Sequence, residues 1–200
     1  MVLNNPVARV LLAHGAGAGS DSDFMQQIAT LLRQHSLAVE SIDFPYMQQM
    51  QQTGKRRPPD RMPILEQYFN QQIAHFSSDL PLFIGGKSMG GRVATHVADN
   101  IAVKGVFCLG YPFHPPGKPE KLRTQHLATF EKPCLILQGE KDTFGKRDEV
   151  ERYALSNSIQ LQFFAEADHS LKPPKRTGFT QHDYMRQAAN NIAQFIQGLV

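Results

Sequence analysis

The chain has 200 residues, of which 41% are apolar, enough to bury one substantial core, and the length suits a single domain spanning residues 1–200. A net charge of +3 and a pI near 8.9 are mild, and the 21 basic residues are spread along the chain, which argues against a nucleic-acid partner. No apolar run reaches the ~18 residues of a membrane span, and Met1 to Ala13, broken by Asn4, Asn5, Pro6 and Arg9, is too short for a signal peptide. A protein without membrane attachment is expected, and Cys108 and Cys134, both within apolar strand-like segments, read as buried thiols of a reducing, cytoplasmic compartment.

The first predicted strand is Ala8 to Ala13, and Gly15-Ala16-Gly17-Ala18-Gly19-Ser20 follows it. With Glu40 and Asp43 downstream, this turn approaches a dinucleotide-binding fingerprint and departs from it at Ser20, where glycine or alanine is wanted. His14 in front of the glycines suits an oxyanion loop better. Phe24, Ile28, Leu31 and Leu32 then form one face of a helix entered by the capping candidates Ser20 to Asp23. A second strand is expected at Ala38 to Phe44, followed by a long connection, Pro45 to Met62, rich in proline and charge. Ile64, Leu65, Tyr68, Phe69, Ile73 and Phe76 mark the next helix, and Leu80 to Ile84 the third strand.

Directly behind that strand stands Gly86-Lys87-Ser88-Met89-Gly90, a G-x-S-x-G pattern in the strand-to-helix context that gives it meaning. Glycines flank the serine because a Cβ at those positions would collide with the neighbouring strand or helix. The overlapping Gly-Lys-Ser of a phosphate-binding loop is disfavoured, since Pro81 stands where its first glycine belongs and the strand runs up to Gly85. A helix beginning near Met89 carries Val93, Ala94, Val97 and Ala98 on one side.

Strands at Lys104 to Leu109, Cys134 to Gln138 and Gln160 to Phe164, then a helix from about Gln181 to Leu199, complete the chain. Nearly continuous apolar strands alternating with helices predict an α/β fold: a mostly parallel sheet of about six strands with helices on both faces. The connection Gly110 to Lys132, holding Tyr111-Pro112-Phe113-His114, leaves a carboxyl end of the sheet, where open α/β sheets place ligands.

A serine hydroxyl needs a histidine to take its proton, and the imidazolium needs a carboxylate. The order serine, acid, histidine is met by Ser88, by Asp142 in Gly139-Glu140-Lys141-Asp142, and by His169 in Ala167-Asp168-His169-Ser170. Glu140 is the competing acid, Asp148 suits a helix start, and Asp168 suits a local structural role. None of His14, His96, His114, His126 and His182 stands directly behind the last strand as His169 does; His96 is expected to pack or face solvent, and His14 to hold its turn. The backbone N–H groups of Met89 and Ala16 are the expected oxyanion donors. These features predict a serine hydrolase acting through an acyl-enzyme on a small acyl ester or thioester, with no cofactor and no metal.

With those residues placed, the chain resembles a small member of the α/β-hydrolase superfamily. Within it the closer likeness is to the branch of the testis-expressed hydrolase-like proteins and the regulatory subunit of the histone-acetyltransferase NSL complex. The likeness is carried by His14 to Ala18, Arg56-Arg57-Pro58-Pro59, Gly85 to Arg92, Gly110 to Pro119, Gly139 to Asp142 and Asp168 to Lys175. It implies a compact core with no large cap domain, and it leaves a non-catalytic interaction scaffold as the rival function. Lys87, Tyr111 and His114 are the expected substrate contacts, Lys87 either meeting an anionic group or laying its stem on the surface. Convergence of Arg56, Arg57, Arg92, Lys118, Lys172 and Lys175 on the rim would favour a carboxylate- or phosphate-bearing substrate.

Overall fold

The computed structural model describes residues 5–76 and 79–200; residues 1–4, on which part of the amino-terminal reading rests, lie outside them. Six parallel strands form one sheet in the order β2-β1-β3-β4-β5-β6. They are β1 (Ala8–Ala13), β2 (Leu37–Ile42), β3 (Leu82–Lys87), β4 (Val103–Leu109), β5 (Cys134–Gly139) and β6 (Ile159–Phe164). The helices are α1 (Asp23–Arg33), α2 (Pro45–Thr53), α3 (Met62–His75), α4 (Met89–His96), α5 (Arg147–Val150) and α6 (Gln181–Gln197).

Alternation along β1 shows why the strands read as unbroken apolar runs. Val10 and Leu12 face one core, with Met25, Ile28 and Leu32 of α1 and Ala188, Ala189 and Ile192 of α6. Leu11 and Ala13 face the other, with Phe69 of α3 and Val93 and Ala94 of α4. From Val10 to Ala13 both faces of the strand are buried, so these four positions are all apolar. The chain leaves β1 to pair on one side with β2 and returns to pair on the other with β3. That reversal opens a crevice at the carboxyl ends of β1 and β3, the place where such sheets hold ligands.

The largest departure from the sequence reading is α2, which occupies the first half of the connection expected from Pro45 to Met62. Pro45 is its first-turn residue rather than a loop marker, because a proline there loses no intrahelical hydrogen bond. Gly54, at φ +66°, ends it in the left-handed conformation. Phe44, the residue before α2, and Tyr46 within it are wholly buried, and Phe44 packs its ring 5.2 Å from His14 and 6.2 Å from Phe69. This aromatic cluster lies beneath the loop after β1 and gives it a rigid floor.

Candidate active site

Ser88 sits between β3 and α4 with φ +51° and ψ −113°, a conformation a side chain rarely adopts. Such a bend is held only by its surroundings, and two glycines make them possible. A Cβ on Gly90 would stand 2.6 Å from the His14 carbonyl oxygen, and one on Gly86 would stand 2.8 Å from the Gly90 carbonyl carbon. Helix and strand therefore close tightly about the serine and project its hydroxyl from the sheet edge.

His169 comes from the loop after β6, and its Nε2 lies 2.8 Å from Ser88 Oγ. Its Nδ1 lies 2.7 Å from Asp142 Oδ2. The carboxylate keeps the ring proton on Nδ1, so the Nε2 lone pair accepts from the serine hydroxyl. Burial lowers the His169 pKa, the hydrogen bond to Asp142 opposes that, and the Lys87 charge adds to the lowering. Phe144 stacks on the imidazole with ring centroids 4.2 Å apart, fixing its plane.

Asp142 is fully buried, yet every part of its carboxylate is satisfied. Oδ1 accepts from the Phe144 N–H at 2.8 Å, and Oδ2 accepts from Gln138 Nε2 at 2.8 Å besides His169. Gln138 is itself buried at the end of β5, and its Oε1 accepts from the Tyr111 N–H at 2.8 Å. Glu140, the alternative acid, is engaged elsewhere: Arg147 Nη1 donates to it at 2.9 Å and the Glu166 N–H at 3.0 Å. Asp168 accepts from the N–H groups of Ser170 and Lys172, a purely local role.

The loop after β1 is tied down from behind. His14, buried and pushed to low pKa by desolvation, donates Nδ1–H to the Gly15 carbonyl at 2.6 Å and accepts the Phe44 N–H on Nε2 at 3.1 Å. The Tyr46 hydroxyl donates to the Ala16 carbonyl at 2.9 Å. Asp43, a candidate ribose ligand by spacing, instead accepts from the N–H and hydroxyl of Ser20 at 2.7 and 2.6 Å and closes the loop on itself. With these carbonyls turned away, the N–H of Ala16 has no acceptor among the described residues, and neither does the N–H of Met89 at the start of α4.

A cleft of about 360 Å³ opens over Ser88 and His169, walled mainly by apolar groups of Ala16, Ala18, Phe24, Met25 and Phe144. Lys87 reaches this wall, but its ammonium donates to the His169 carbonyl. Two expected substrate contacts are corrected. Tyr111 is fully buried, its hydroxyl donating to the Arg123 carbonyl at 2.9 Å, and His114 is buried with Nε2 3.5 Å from Glu149. Tyr111 joins the core on the α2–α4 face of the sheet, whereas His114 packs against the segment after β5, its main-chain N–H donating to the Phe144 carbonyl at 3.1 Å. Nor do Arg56, Arg57, Arg92, Lys118, Lys172 or Lys175 line the cleft; Arg57 pairs with Asp60 at 3.1 Å, and most of the others are exposed. These bases therefore do not converge on the cleft. Gln138, Phe144, Phe24 and Met25 went unrecognised in the sequence; only Gln138, a lone amide ending an apolar strand, left a visible signal.

Among the described residues no group of three or more His, Cys, Asp or Glu is arranged to hold a metal ion. No described helix is long and apolar enough to cross a membrane.

The fold and its sheet-edge serine define an α/β-hydrolase. The chain matches the alpha/beta hydrolase domain family over residues 6–197 and belongs to it. A dienelactone hydrolase from Anabaena variabilis superposes with a TM-score of 0.71 at 21% identity, over 98% of this chain and 88% of its own. A monoacylglycerol lipase from Paleococcus ferrophilus gives 0.70 at 14%, over 96% of each chain. An α/β serine hydrolase without a lid from Xanthomonas campestris gives 0.69 at 15%, over 94% of this chain and 81% of its own. At these identities the three agree with this chain in fold.

Proposed function

We infer that the protein is a serine hydrolase that cleaves an ester or thioester of a small substrate with an uncharged, apolar acyl group. The observation that carries this reading is the unbroken chain of hydrogen bonds from Ser88 through His169 to Asp142. Ser88 Oγ attacks the acyl carbon while His169 Nε2 takes its proton, and Asp142 stabilises the imidazolium. The carbonyl oxygen, now an anion, is held by the N–H groups of Met89 and Ala16. The imidazolium protonates the departing alcohol or thiol as the acyl–heteroatom bond breaks, leaving an acyl-Ser88. A water that loses its proton to His169 then releases the acid and restores the hydroxyl.

The apolar wall and the commitment of Lys87 to a backbone carbonyl support an uncharged acyl group. The free, buried thiols of Cys108 and Cys134 support a reducing, cytoplasmic setting. Motif likeness supports placement beside the testis-expressed and NSL-subunit branch, and the aligned Ser88 and His169 favour turnover over a scaffold. A fluorophosphonate probe should label the wild type, and Ser88→Ala should abolish labelling and hydrolysis of p-nitrophenyl acetate and acyl thioesters. Equal labelling of the variant, or an unlabelled and silent wild type, overturns the reading.

A further inference from the structure

Lys87 is the last residue of β3 and the immediate neighbour of Ser88, yet its side chain serves another part of the chain. Its ammonium donates to the main-chain carbonyl of His169, 82 residues away, and lies 5.4 Å from the centre of the Phe24 ring. The contact has a purpose-shaped seat at the end of β4. Gly110 has φ +68°, and a Cβ there would stand 2.7 Å from the His169 carbonyl oxygen and 3.0 Å from Lys87 Nζ. Any side chain at that position would push the two apart.

The loop that carries His169 needs such a hold. Glu166 and Leu171 both have positive φ, +51° and +57°, in a segment braced by the Asp168 carboxylate. The imidazole is gripped at its two nitrogens, whereas Lys87 grips the backbone from which the ring hangs. Charge matters as well as geometry. His169 feels Asp142 from the loop after β5, Asp168 from its own loop, and Lys87 from β3. The two acids favour the imidazolium and the lysine opposes it.

We propose that Lys87 is a positioning residue: it clamps the His169 backbone to the nucleophile's strand and uses its charge to keep the imidazole free to accept the serine proton. This rests on the serine-hydrolase reading and deepens it, moving Lys87 from a substrate contact to a determinant of the base. The lysine's own pKa is pushed down to about 8 by burial, so its charge is present where the histidine titrates.

The test uses the full chain as wild type, Lys87→Met and Lys87→Arg, each checked by thermal melting. In kcat/KM for p-nitrophenyl acetate, Lys87→Met should still label with fluorophosphonate but turn over about ten-fold more slowly, with its acid limb displaced upward by up to about one pH unit. Lys87→Arg, which keeps the cation, should hold the acid limb within a few tenths of a unit of wild type. A slower Lys87→Met with an unmoved limb makes the residue merely structural. A change confined to KM for an anionic ester makes it a substrate contact, and either result overturns the proposal. A wild type that neither labels nor turns over refutes the hydrolase reading instead. The proposal is then decided by NMR titration of the His169 ring, assigned with His169→Gln, which must shift upward in Lys87→Met or the proposal fails.

Discussion

Replacing Asp142 by asparagine changes one atom and sets the buried network against itself. Every neighbour of the carboxylate is a donor: His169 Nδ1, Gln138 Nε2 and the Phe144 N–H. An asparagine offers one acceptor oxygen and one NH2 group, so one edge must face a donor with a donor. With the NH2 toward His169, the ring gives up its Nδ1 proton and carries it on Nε2, where it can no longer accept from Ser88. With the NH2 toward Phe144, a partly buried N–H loses its acceptor, and the charge that stabilises the imidazolium is still gone. Loss of the acid without loss of geometry in other triads lowers kcat by about 10⁴, equivalent to about 5 kcal/mol of transition-state stabilisation. Steady-state hydrolysis of p-nitrophenyl acetate by Asp142→Asn, alongside the rate of fluorophosphonate labelling, should show that fall while Ser88 remains in place. A loss smaller than about ten-fold would refute the reasoning, and Glu140 could not easily take over, since Arg147 and the Glu166 N–H hold it.

Tyr111→Phe should lower stability by about 1 kcal/mol through loss of the hydrogen bond to the Arg123 carbonyl, read by urea denaturation, and leave kcat and KM unaltered. A raised KM would return Tyr111 to the substrate. His126 is pushed down to about 4 from an ordinary 6.5 by burial, by the facing His96 ring at 4.1 Å and by Arg92. Between those values the unfolded chain binds the proton that the folded chain refuses, so this contribution to stability is complete above pH 6.5 and is lost as pH falls toward 4. Melting temperatures of His126→Gln, which can still bond Thr95, should decline less steeply over that window than those of wild type; parallel slopes would contradict the assignment.

Sequence alone determined the alternation of strands and helices, the bend at Ser88 and the chain order of serine, acid and histidine. Each rests on a local cue: unbroken apolar runs between helical stretches, glycines beside a strained residue, and polar residues just past strand ends. The helix α2 was missed although its cue, Pro45 at a first turn, was present, because the same residue also marks loops. Sequence favoured Asp142 over Glu140 by motif position, and the tertiary structure decided what engages each: Asp142 faces His169, Gln138 and Phe144 brace that pair, Tyr111 and His114 turn inward, and Lys87 reaches the His169 backbone. These outcomes depend on which strand ends lie side by side, and contacts between segments 27 or 82 residues apart leave no imprint on the spacing of either segment.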